Sequence, residues 1–198
     1  MDKTLDKVQD NVFYEGNVRS VEFKSSAGSK VQVFVPAPGE DVVYVFSHIL
    51  QHFFFGGIGL RQICDWCRLL YTYKDSLNHG LLESRIREAG LMTEWKAFAS
   101  LAVNDIGMPV EAMPFYSSDQ KWSRKAKQVM DFVLYTGNFG DNRDYSYYKK
   151  YPYIVFKAIS FWRHITDSIR YSGIFPLDSF KVLWRKIYIG ISVVVRGK

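Results

Sequence analysis

The sequence predicts a predominantly helical α+β protein, a β-hairpin followed by about seven helices. Three observations carry that prediction. Period-2 alternation is confined to residues 18–35, apolar spacings of three and four recur from residue 40 onward, and Gly, Pro and Asn punctuate the chain between the helical stretches. The 198 residues are 47% apolar and 17% aromatic, enough to bury a continuous core in one domain or one domain with a small appendage.

Residues 1–16 are polar and mixed, consistent with a short helix and a loop. Val18, Val21 and Phe23 are interleaved with polar residues, and Val31, Val33 and Val35 share one face. The turn composition Ser25-Ser26-Ala27-Gly28-Ser29 between them completes a hairpin. Isolated hairpins are marginal in water, so this one needs a surface to pack on. Pro36-Ala37-Pro38-Gly39 ends the second strand, because proline lacks the amide donor and restricts its predecessor.

The first helix is expected over 40–55, with Val43, Phe46, Leu50 and Phe54 on its apolar face, and Gly56-Gly57 stops it. A second spans 60–73, with Ile63, Cys67 and Leu70 inward. Asn78 is placed to cap a third that runs to residue 89. Further helices are expected over 91–106 and 120–135. A polar turn containing Asp141, Arg143 and Asp144 then precedes helices beginning at Pro152 and Pro176, the last covering 177–195.

Composition restricts the function classes. The net charge of +6 is spread along the chain, densest at Arg124, Lys125 and Lys127, and no long basic block argues for nucleic acid. The tyrosines at 145, 147, 148, 151 and 153, mixed with Lys149 and Lys150, read as the start of a helix packing on the core rather than a base-stacking platform. No apolar h-region opens the chain and no uncharged apolar stretch reaches spanning length, so the cytoplasm is the expected location and no transmembrane segment is expected. Cys64 and Cys67 do not make a disulfide scaffold.

The densest chemistry lies between His48 and Cys67. His48 and His52 are one helical turn apart, as are Arg61 and Asp65, and a short Gly-rich turn joins the two helices. Three chemistries fit that cluster. Arg61 and Asp65 can pair structurally, with the histidines bonded to them or to carbonyls. Arg61 and a histidine can grip a phosphate, oriented by Asp65. His48, His52, Cys64 and Cys67 have the inventory for zinc, although both cysteines fall inside a helical pattern where a free Cys acts as a small buried hydrophobe. Gly56-Gly57-Ile58-Gly59 fits no phosphate-loop fingerprint, having no preceding strand and no following Lys-Ser/Thr, and reads as a tight helix-helix turn. Asp141 and Asp144 read as a solvated turn.

The run His48-Ile49-Leu50-Gln51-His52-Phe53-Phe54-Phe55, followed by Gly57-Ile58-Gly59-Leu60-Arg61-Gln62 and Asp65, resembles a block of uncharacterised bacterial nucleotidyltransferases often associated with polysaccharide synthesis. Val33-Phe34-Val35-Pro36-Ala37-Pro38 is similar as well. The resemblance implies an α/β catalytic core followed by helices, with a Gly-Ser turn before an Asp-x-Asp pair that holds two Mg2+ ions on a nucleoside triphosphate. Here Gly28-Ser29 is followed by Lys30-Val31-Gln32-Val33, without that pair. The chain is therefore expected to be the C-terminal portion of such a protein, truncated and inactive by itself. Residues 1–38 would be the hairpin remnant of the nucleotidyltransferase-like sheet and residues 39–198 the helical domain. Mg2+ and NTP are expected only for a full-length member.

On this reading His48, His52, Arg61 and Asp65 bind a nucleotide or phosphorylated ligand, and no residue of the chain is catalytic. The expected protein partner is a second copy or a missing N-terminal domain. The alternative is a non-catalytic interaction module that pairs through an exposed strand edge. A metal-dependent hydrolase using the histidines ranks last, since no acid cluster of defined spacing accompanies them.

Overall fold

The computed structural model describes residues 18–24, 26, 28–138, 150–176, 184 and 188. Strand β1 is Val18–Lys24 and strand β2 is Lys30–Pro36. They pair antiparallel, with Val21 opposite Val33 and Phe23 opposite Val31. Gly28, at φ 80°, supplies the left-handed residue of the turn. Six α-helices follow among the described residues: α1 Pro38–Phe55, α2 Leu60–Tyr73, α3 His79–Glu88, α4 Met92–Asn104, α5 Gln120–Thr136 and α6 Tyr153–Ile174. A 3-10 turn, Val110–Ala112, lies between α4 and α5. The protein is thus the predominantly helical α+β chain that the sequence predicts. The short helix expected within 1–16, the Asp141, Arg143 and Asp144 turn and the tyrosines at 145, 147 and 148 lie outside the described residues. So does the last helix, apart from Trp184 and Tyr188.

Helix α1 begins earlier than the residue-40 start read from the sequence. Pro38 occupies the first helical position, where its missing N–H is one of the unsatisfied donors anyway. Glu40 and Asp41 in that first turn favour the positive end of the helix dipole. Asn78 caps α3 as expected, its Oδ1 accepting from the Leu81 N–H at 3.0 Å. Asn78→Ala is expected to lower stability by about 1 kcal/mol, read from urea unfolding.

Helix α1 is the centre of the core. Its Val43, Phe46, Leu50 and Phe54 are buried, as are Ile63, Cys67 and Leu70 of α2. Phe46 lies 4.9 Å from the rings of both Trp66 and Trp95, and 5.5 Å from Phe98. Further along the same helix, Phe53 meets Phe98, Phe132, Tyr171 and Phe175 at 5.2–6.2 Å. Most of these rings meet edge to face, the arrangement that their quadrupoles favour. Two of these aromatic residues also use their polar ends: the Trp95 indole donates to the Pro114 carbonyl at 2.8 Å, and the Tyr171 hydroxyl to the Phe53 carbonyl at 2.6 Å. At the start of α1, buried Glu40 accepts from Arg85 of α3 at 3.1 Å, fixing the two helices together.

The hairpin stands apart from this core. Phe23 is 56% exposed and Val31 52% exposed, and Val33 beside them is exposed as well. These side chains share one face of the hairpin, and Phe34, 61% exposed, lies on the other. The surface that the hairpin needs is thus not supplied by the described helices.

Candidate functional site

The face of α1 opposite its core stripe carries Tyr44, His48 and His52, each one turn after the last. Tyr44 and His48 are exposed and His52 is half-buried. The Tyr44 and His48 rings are nearly parallel at 6.4 Å, and the His48 and His52 rings meet edge to face at 4.4 Å. The Nε2 atoms of the two histidines are 3.0 Å apart. At that distance one nitrogen donates and the other accepts, so at least one ring is neutral.

Burial, and then the neighbouring His48, push the His52 pKa below its ordinary value of 6.5. Unfolding releases His52 to take up a proton that it resists in the fold. Stability therefore falls as pH drops below 6.5 and through the depressed value. Melting temperatures between neutral and mildly acidic pH are expected to show this decline, reduced in His52→Gln.

The turn after α1 is built by glycines and one amide. The N–H groups of Gly56 and Gly57 both donate to the His52 carbonyl, at 2.9 and 2.8 Å. Gly57 sits at φ 108°, and a Cβ there would lie 2.7 Å from Thr136 Oγ1 and 2.8 Å from Thr136 Cβ. The turn is thus pressed against the end of α5. Gln62 secures it: its Oε1 accepts from the Gly59 N–H at 2.9 Å, and its Nε2 donates to Asn138 Oδ1 at 2.6 Å. This is half of a capping box, with glycine in place of the hydroxyl residue. The Gly-rich turn is therefore a packing device, as its sequence suggests.

Of the residues proposed from the sequence, the structure brings His48 and His52 together. Arg61 and Asp65 are both exposed on α2, and among the described residues they form no ion pair with each other. Cys64 is exposed whereas Cys67 is buried, its thiol pushed up to about 12 by burial and then by Cys64, against a smaller opposing effect of a backbone hydrogen bond. Such a thiol resists becoming the thiolate that zinc requires. Among the described residues no three His, Cys, Asp or Glu side chains gather as a metal group, so the two-histidine, two-cysteine constellation is not assembled. Sequence reading missed Tyr44 and Gln62. The first is one turn before His48 and the second is at the third position of its helix, and both signals were available.

The basic run on α5 does not form one patch. Lys125 turns inward, donating to the Ile174 carbonyl and lying 5.2 Å from the Phe175 ring centroid. Burial lowers its pKa, opposed by Glu94 and reinforced by Lys121. A surface groove of about 310 Å³ between α5 and α6 is lined by Gln128, Asp131, Phe132, Tyr135, Arg170 and Ile174, with the Arg170 guanidinium 4.2 Å above the Tyr135 ring. Among the described residues no helix is long and apolar enough to cross a membrane.

The Gly57–Gln62 turn and the paired histidines lie within the block that resembles nucleotidyltransferases, and comparison of the whole chain identifies the same stretch. Residues 10–104 match the family described as an uncharacterised nucleotidyltransferase. The match covers just under half of the chain, from before β1 to the end of α4. No curated protein and no solved structure matches. The nucleotidyltransferase match thus includes both histidines, Arg61, Asp65 and the Gly-rich turn, and it ends before α5, against which that turn packs.

Proposed function

We propose that the chain is the substrate-facing helical part of a nucleotidyltransferase of the bacterial, polysaccharide-associated type, and that it transfers no nucleotide by itself. The observation that carries this reading is the match over residues 10–104 in a sequence that holds no Asp-x-Asp. Nucleotidyl transfer requires carboxylates that align metal ions on the triphosphate. In the matched stretch Glu40 is engaged with Arg85, and Asp65 is exposed on the surface of α2. Mg2+ and NTP then belong to a protein that also carries those carboxylates. This chain contributes Arg61 as the phosphate contact, with His48, His52 and Asp65 orienting the phosphorylated ligand.

The test has two arms. Purified chain incubated with labelled nucleoside triphosphates and Mg2+ is expected to show no transfer above a vector control, and transfer would overturn the inactivity. Nucleotide with Mg2+ is expected to raise the melting temperature, and Arg61→Ala to abolish that rise without altering the unliganded melt. Equal stabilisation of both proteins would remove Arg61 from the site.

The exposed valines and phenylalanines of the hairpin favour a second reading, a non-catalytic module that pairs through its strand edge with another copy or a separate domain. A concentration-dependent dimer disrupted by Val33→Lys, in a chain indifferent to nucleotide, would select this reading over the first.

A further inference from the structure

The geometry points to a two-histidine clamp for a late first-row divalent cation on the outer face of α1, formed by Nε2 of His48 and Nε2 of His52. Among the described residues the clamp is built by α1, and it does not rest on the nucleotidyltransferase reading. Metal–imidazole bonds of about 2.0–2.1 Å place neighbouring nitrogen ligands about 2.9–3.4 Å apart, depending on the coordination angle. The two Nε2 atoms are already 3.0 Å apart. That spacing, set at present by the hydrogen bond between the rings, falls within this range, so small ring rotations suffice to close the pair on an ion.

The helix provides this arrangement through its own period, since residues one turn apart stack above one another. The rings now meet edge to face with one Nε2 donating to the other; when the donating ring carries its proton on Nδ1 instead, rotation about the broad terminal torsion of histidine turns both Nε2 lone pairs toward one point. Tyr44, stacked on His48, braces one ring from the next turn. Among the described residues no third His, Cys, Asp or Glu joins the pair. Imidazole selects Ni2+, Cu2+ or Zn2+, whereas Mg2+ prefers oxygen, so this cation is distinct from the one that a triphosphate carries.

Calorimetric titration of the purified chain with NiCl2 and with ZnCl2, without nucleotide, tests the clamp. One ion per chain is expected to bind, with affinity reduced about tenfold or more in His48→Ala and in His52→Ala, since each variant removes one of the two imidazole ligands. Cys64→Ser is expected to leave binding unchanged, because its thiol is not part of the clamp. The exposed His48 ring can be removed without disturbing the core, and the metal-free melt of His48→Ala checks this. In the intact chain, Zn2+ is expected to shift the Nε2 resonances of His48 and His52 and to spare that of His79. Absence of binding, binding indifferent to both histidine variants, or resonance shifts that bypass His48 and His52 would overturn the proposal. Loss of nucleotide stabilisation in Arg61→Ala bears on the proposed function and leaves this result untouched.

Discussion

Replacing Gly57 by alanine is expected to destabilise the protein by about 3 kcal/mol or more, the sum of backbone strain and forced overpacking. Gly57 sits at φ 108°, a conformation that side-chain-bearing residues rarely adopt. Its new Cβ would also stand 2.7 Å from Thr136 Oγ1 and 3.0 Å from the Gly137 carbonyl. Thr136 is fully buried and bonds its own helix at Phe132, so it has little room to retreat. Neighbouring Gly56 is the control. It has φ −139°, and a Cβ added there would meet nothing within 4 Å, so Gly56→Ala is expected to change stability by no more than about 0.5 kcal/mol. Urea unfolding of both variants measures the difference, provided the denaturant slope is unchanged. Equal effects would mean that α5 does not press on the turn.

Phe53→Ala should cost about 3–5 kcal/mol, the range for removing a large aromatic ring from a packed core. Phe53 is fully buried, and its ring lies against α4, α5 and the end of α6 through Phe98, Phe132, Tyr171 and Phe175. The cavity cannot collapse onto a single neighbour, because its walls come from different helices. Phe34→Ala removes a ring of the same size from the hairpin surface and is expected to fall within about 0.5 kcal/mol. The contrast separates ring size from ring environment in one unfolding experiment.

The helices are legible in the sequence because their signals are local. Val43, Phe46, Leu50 and Phe54 announce the buried face of α1, and Asn78 announces the start of α3. The start of α1 differs from the expected one because Pro38 has two possible roles: proline ends strands, and it also opens helices. The histidine pair follows from helical spacing alone. The pairing of Arg61 with Asp65, suggested by the same spacing, does not form: both side chains are exposed, and an exposed ion pair gains little over hydration. What no local pattern can reveal is why the turn needs Gly57. The reason is Thr136, far along the chain, and only the packing of α5 brings it there.

Pro36, Ala37 and Pro38 join the hairpin to the helical body, and their chemistry makes that joint stiff. Both proline rings fix φ, and each proline narrows the choices of the residue before it. Ala37 accordingly lies at φ −60°, ψ 150°, the extended conformation that a following proline imposes, and Pro38 is already within α1. The hairpin is thus carried like a handle on the same rod that presents His48 and His52. A torque applied to the strands by whatever they engage would be transmitted to α1 instead of being dissipated in a slack linker.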